Sequence, residues 1–221
     1  MTPIALDHLV VAARTLDAGV AWCAATLGVA PSAGGRHALM GTHNRVLSIA
    51  APAFPRAYLE IIAVDPQAAP PGRRRWFDLD DPVLAARLDA GPVLVAWVAR
   101  CDDIGAACAV LAARGVDPGR VLDAERDTPG GRLRWRIAVR DDGTRALGGA
   151  LPTLIEWRGT HPADTMQPSG VALASFEVAG PEPAGGALRE LGWPPGARAG
   201  APALVGVLDT PRGRVPLAGP T

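Results

Sequence analysis

Lysine is absent from the chain, so all 22 side chains counted as Lys or Arg are arginines. Without an ε-amine there is no Schiff-base chemistry, no pyridoxal phosphate attachment and no P-loop lysine. Cysteine is scarce as well. Cys23, Cys101 and Cys108 form an odd set without a Cys-x-x-Cys pair, which speaks against a disulfide framework or a structural zinc site. Cys23 and Cys108 fall at matching helix positions and read as small core residues. The 22 acidic groups cancel the arginines, so no whole-molecule field attracts nucleic acid or an anionic membrane surface. No apolar run approaches the ~20 residues needed to cross a bilayer, and the N-terminus lacks a basic region followed by an apolar one. The expectation is a soluble, cytoplasmic protein. No Gly-x-Ser-x-Gly elbow, no dinucleotide fingerprint after a strand and no paired His-x-x-x-His occurs, which removes hydrolase-triad and nucleotide readings.

What is present is a repetition. Leu6 to Ala12 reads as an apolar strand, Thr15 to Gly19 opens an amphipathic helix, and Leu27-Gly28-Val29 closes it. Val93 to Val98, Cys101 to Gly105 and Arg114-Gly115-Val116 repeat that grammar, with Asp17 matching Asp103 and Gly19 matching Gly105 at one offset of 86 residues. Each copy ends on a Glu-bearing strand, Tyr58-Leu59-Glu60-Ile61-Ile62 and Thr153-Leu154-Ile155-Glu156-Trp157. The simplest unit is strand, helix and three strands. A turn around Gly41-Thr42-His43-Asn44 separates two strands of the first copy, and Thr15 and Asp102 serve as helix N-caps. The organisation expected is a first module over 1–66, a Pro- and Arg-rich linker over 67–91, a second module over 92–160, and a partial third copy (strand, helix, two strands) over 161–221. A duplicated unit folds into facing halves, and polar residues at their seam are the place to look for chemistry.

Period-two alternation puts Leu6, His8, Val10 and Ala12 on one face of the first strand, and places Glu60 and Glu156 among apolar neighbours. A carboxylate buried there is expensive unless it is paired, protonated or bound to a cation. One imidazole and two carboxylates converging on a cleft could form a divalent-metal site; equally, His8 could be a core histidine and each glutamate could pair with arginine. His43 reads either as turn chemistry or as a general acid or base at the cleft mouth, with Asn44 or Arg45 orienting substrate. Arg132, Arg134 and Arg136 form a solvated strand face or an anion site, and Trp135 is core or an aromatic wall. Trp76-Phe77 could dock on the cleft as a lid.

These units, with His8 in the first strand and Glu60 and Glu156 in the closing strands, resemble the vicinal oxygen chelate superfamily of glyoxalase I, extradiol dioxygenases and bleomycin-type resistance proteins. Asp7-His8-Leu9-Val10, Gly41-Thr42-His43-Asn44-Arg45, Tyr58 to Val64, Leu133-Arg134-Trp135 and Leu154-Ile155-Glu156-Trp157 look like its glyoxalase-like branch. The resemblance implies an α+β fold of paired modules forming a curved sheet around a cleft. It implies a divalent metal (Zn, Mn, Ni, Co or Fe) held by His8, Glu60 and Glu156, with Leu94 at the fourth position, where it cannot bind. Two carboxylates and one histidine suit a lyase or isomerase acting on a small oxygenated substrate better than oxygen activation, with His43 and Glu156 expected to move the proton and Asn44, Arg45, Arg134 and Trp135 expected against the substrate. The alternative is a metal-free binding or resistance protein. Partners expected are a small molecule, no nucleic acid and no membrane, in a monomer or homodimer.

Overall fold

The computed structural model describes residues 3–128, 131–193 and 197–219. Strand β1 (Ala5–Ala12) leads into helix α1 (Leu16–Trp22), capped by the Thr15 hydroxyl, which accepts the Ala18 amide at 3.1 Å. A wider helical turn over Cys23–Leu27 continues it and stops at Gly28, whose φ of +77° ends the helix at little steric cost. Gly19 is where α1 crosses the sheet, and a Cβ there would overlap the Ile61 side chain. Strands β2 (Ser32–His37), β3 (Thr42–Ser48) and β4 (Tyr58–Val64) complete the first unit. A connecting segment carrying helix α2 (Pro82–Leu88) follows, and then β5 (Val93–Arg100), α3 (Ile104–Ala113), β6 (Arg120–Thr128), β7 (Gly131–Val139) and β8 (Thr153–Trp157) repeat the first unit's order. The α3 cap is Asp103, one residue beyond the expected Asp102, and accepts the Ala106 amide at 3.0 Å.

The eight strands form one curved sheet in the order β2-β3-β4-β1-β5-β8-β7-β6, with β1 antiparallel to β5 at the centre. The edge strands β2 and β6 come together, so the sheet curls into a nearly closed cup. Arg126 of β6 spans that seam and donates to Asn44 of β3 at 3.4 Å. The α+β class with paired modules around a cleft is therefore what the chain adopts.

Two departures from simple alternation matter for function. A bulge between Leu6 and His8 breaks the β1–β5 register, so Leu6 packs on the outer, helix-covered face while His8 and Val10 look into the cup. The first hairpin turns over residues 38–41, where Gly41 has φ +57°, rather than around 41–44. His43 and Asn44 are consequently strand residues pointing to opposite faces.

After β8 come β9 (Ala172–Gly180), α4 (Glu182–Glu190), the two-residue β10 (Arg198–Ala199), β11 (Ala203–Thr210) and β12 (Gly213–Ala218), paired in the order β10-β9-β11-β12. Here the first strand lies between its successors, whereas β1 and β5 lie beside the last strand of their units. This second sheet covers the outer face of the first. Trp97 packs there on Phe176 and Trp193, with ring centroids 5.4 and 4.9 Å away, and its indole N–H donates to the Gly149 carbonyl. Truncating a buried tryptophan of this kind to alanine costs about 3–5 kcal/mol.

The inner face is covered differently. Trp76 and Phe77 of the connecting segment pack into the cup against Val10, Ile62, Val98 and Ile137. The chain turns sharply there through Phe77 and Asp78, with φ of +60° and +59°. Such left-handed backbone costs about 1–3 kcal/mol per residue and persists where neighbours enforce it. Asp78 is that enforcement, since its amide donates to the Gly143 carbonyl and its carboxylate accepts the Arg145 amide and guanidinium.

Candidate functional site

At the floor of the cup lies a buried chain of ionisable groups. Asp7, without solvent exposure, accepts three donors: His8 Nδ1 at 2.6 Å, Trp157 Nε1 at 2.9 Å and His161 Nε2 at 2.9 Å. His8 Nε2 faces Glu60 Oε2 at 3.5 Å, and Tyr58 stacks on the His8 ring with centroids 4.5 Å apart. Glu60 Oε1 accepts the Asn44 amide at 2.5 Å, and His37 Nε2 stands 3.9 Å from the same oxygen. Asn44 Oδ1 in turn accepts the Gly35 amide at 2.7 Å. Gly34 and Gly35 make this arrangement possible: a Cβ on Gly34 would overlap Asn44, and one on Gly35 would overlap the Arg126 guanidinium.

Electrostatics divides the histidines. Burial opposes a charged His8, yet hydrogen bonds from the ring to Asp7 and Glu60 outweigh it and raise the pKa to about 9. Burial would likewise raise the carboxylates, but bonds from His161 and His8 hold Asp7 far below the usual range, and bonds from His8 and Asn44 with nearby positive charge hold Glu60 near 2. His37 goes the other way: burial, which the Glu60 charge does not offset, lowers its pKa to about 4. A neutral ring with Nδ1–H donating to the Thr42 hydroxyl at 3.1 Å and Nε2 turned toward the Asn44 amide is the consistent tautomer. Glu60 thus sits between a charged and a neutral imidazole.

His37 also lines the open part of the cup, a pocket of about 240 Å³ walled by Leu39, Trp76, Trp135 and Ile137, with Arg36, Asp123 and Glu125 at its rim. A larger pocket of about 600 Å³ lies outside the cup, between α1, α2 and the ends of β3 and β4. Its lining is mostly apolar and does not include the buried chain, so size alone does not mark the site.

The expected residues divide accordingly. His8, Glu60, Asn44 and Trp135 look into the cup. Glu156 does not: it accepts the Ile104 amide at the start of α3 at 2.9 Å and faces Arg136 and Arg158 at 3.8 and 3.7 Å, on the outer face. His43 is outward too, 4.0 Å from Asp65 at the edge of the larger pocket. Arg45 shares its face, and Arg134 is exposed and donates to Glu125 at 3.2 Å. Leu94 is buried in the outer core. Alternation separates the two faces of a strand but does not say which of them the curled sheet turns inward, and at His43 the displaced hairpin turn also moves the residue from turn to strand.

Reasoning from sequence passed over Asp7, Tyr58, Arg126, Trp157 and His161. Asp7 was adjacent to His8 and within reach of notice; the others approach only through tertiary pairing. Burial pushes the Cys23 and Cys101 thiols up to about 12 and Cys108 to about 11, which favours the thiol over the thiolate.

The metal set fails the same test. His8, Glu60 and Glu156 do not converge, and His8 Nδ1 is taken by Asp7. Among the described residues no three or more His, Cys, Asp or Glu side chains are placed to hold a metal ion. No helix among them is long and apolar enough to cross a membrane.

The chain belongs to the glyoxalase-like domain family, whose model matches residues 6–191, and with it to the vicinal oxygen chelate superfamily. Among solved structures it is similar to a hypothetical protein from Staphylococcus aureus, with 17% identity, a TM-score of 0.53, and 80% of this chain and 70% of that one covered. Methylmalonyl-CoA epimerase from Mycobacterium tuberculosis aligns at 21% identity and TM-score 0.40 over 69% of this chain and 86% of that one. The Streptomyces coelicolor methylmalonyl-CoA epimerase aligns at 19% and 0.44 over 72% and 99%. At the identity of the first, the likeness is one of fold. No curated protein matches the chain.

Proposed function

We propose that this glyoxalase-like protein is an enzyme that moves a proton on a small oxygenated substrate held in the cup, by lyase or isomerase chemistry. The observation that carries the reading is buried Glu60 placed between imidazolium His8 and neutral His37, the latter lining a pocket walled by Trp76 and Trp135. Neighbouring groups whose pKa values are driven apart are how acid and base roles are divided in one site. Glu60, with His37 beside it, takes a proton from carbon next to a carbonyl. The His8 Nε2–H stabilises the oxygen on which charge develops, and the proton returns at the same or the adjacent carbon. Asn44 and Tyr58 hold Glu60 and His8 in place. The pocket is smaller than the ~300–1,000 Å³ of drug-sized ligand sites, which favours a compact substrate.

The superfamily resemblance implied a divalent metal, but the donors present do not fit one, and no step here runs through it. The experiment is solvent exchange: 2-oxo acids, 1,2-dicarbonyls and 2-hydroxy ketones are incubated with protein in D2O, with and without added divalent metals, and deuterium at the carbon is read by NMR. Acid–base groups contribute about 10²–10⁴-fold each, so His8→Ala and Glu60→Gln should each lower exchange by that factor. Equal exchange by wild type and both variants sinks the assignment.

A second reading, a metal-free small-molecule binding protein, draws on the aromatic walls of the cup. Retention of a ligand through gel filtration without any exchange would favour it.

A further inference from the structure

We infer that His161, contributed by the segment that follows the second module, is a positioning residue that sets the orientation of His8 through Asp7. The inference rests on the proton-transfer reading of the cup. Its geometry comes from a short turn over His161–Asp164. The Ala163 amide donates to His161 Nδ1 at 3.0 Å, so that nitrogen carries the lone pair and the ring hydrogen sits on Nε2. Nε2–H therefore donates to Asp7 Oδ2 at 2.9 Å, beside the Trp157 indole N–H at the same distance. With Oδ2 taken by two fixed donors, Oδ1 is the oxygen left to His8 Nδ1 at 2.6 Å, and the imidazole is turned so that Nε2 faces Glu60.

The turn is itself tied down. Asp164 Oδ2 accepts the His161 amide at 3.2 Å, and Asp164 Oδ1 accepts the guanidinium of Arg56, in the loop between β3 and β4. Three stretches far apart in sequence, around residues 7, 56 and 161, are thus joined by one set of directed bonds. A histidine aligned by a buried carboxylate that is aligned in turn is a common way of holding an acid–base group in one rotamer.

The test uses two amides of like polarity. Gln at position 161 carries its nitrogen where Nε2 lies, and Asn carries it where Nδ1 lies. In ¹⁵N-histidine-labelled wild-type protein without substrate, the His8 Nδ1–H on Asp7 should give a strongly downfield, slowly exchanging proton resonance. His161→Gln should keep it, and His161→Asn should move it upfield and broaden it, while methyl resonances of the outer core stay in place. An unchanged resonance in a folded His161→Asn variant, or equal loss in both folded variants, overturns the inference. Should Asn unfold the protein, Trp157→Phe removes the other donor to the same oxygen. Its Nδ1–H resonance should then stay downfield while His161 is intact, and its loss there counts against His161 as the holder. Because the signal is read in resting protein, failure of the exchange screen leaves this result separate.

Discussion

Replacing Asp7 by asparagine perturbs the site with little change of shape. The side chain is fully buried and accepts from His8, Trp157 and His161 at 2.6, 2.9 and 2.9 Å. Asparagine removes the charge opposite imidazolium His8 and turns one acceptor into a donor that faces donors. Removing one member of a buried ion pair costs about 3–5 kcal/mol. At roughly 2–4 °C per kcal/mol for a domain of this size, Tm should fall by about 6–20 °C. The pH dependence follows from the two shifts. Asp7 is held below its ordinary 3.8, so its contribution is whole above that pH and is lost as pH falls toward the lower folded value. His8 is raised from 6.5 to about 9, so its contribution is whole below 6.5 and is lost as pH rises through about 9. The difference between wild type and Asp7→Asn should therefore be greatest between these limits and shrink on either flank. Urea titrations followed by tryptophan fluorescence, at constant m, from pH 3 to 10 measure it. A loss at pH 6 no larger than that of a surface pair, about 1 kcal/mol, refutes the reasoning. So does a loss of equal size at pH 6 and pH 10.

Adjacent glycines should behave differently. At Gly34 an added Cβ meets the Asn44 backbone, which cannot yield, whereas at Gly35 it meets only the end of the Arg126 side chain. Gly34→Ala should cost about 1–3 kcal/mol or more, and Gly35→Ala well under that, in matched denaturant titrations. Similar losses at both positions would contradict the packing described. Glu156→Ala should behave as the loss of a helix cap, about 0.5–2 kcal/mol, and leave ligand binding in the cup unchanged by calorimetry. Altered binding in that variant would return Glu156 to the site.

Much of the architecture could be read along the chain, because strands and helices have short periods and caps and glycines mark where they stop. The matching offsets of Asp17 with Asp103 and of Gly19 with Gly105 disclosed two modules, and the Glu-bearing closing strands were located to within a residue or two. His8 and Glu60 were legible as candidates, since polar groups inside apolar strands are costly without a role, whereas Asn44 reads as part of a turn and Trp135 as core or an aromatic wall. The faces of Glu156, His43, Arg45 and Arg134 were not legible. Side-chain direction in a strand is a parity, and which of its two faces is turned inward is set by how the whole sheet curls and what covers it, while a hairpin turn displaced toward residue 38 changes the reading of His43 without a local signature. Nor could the chain by itself bring His161 to Asp7, 154 residues away, or Arg126 to Asn44 across the closing seam. The local sequence specified which elements form, and the closure of the sheet decided which of their side chains meet.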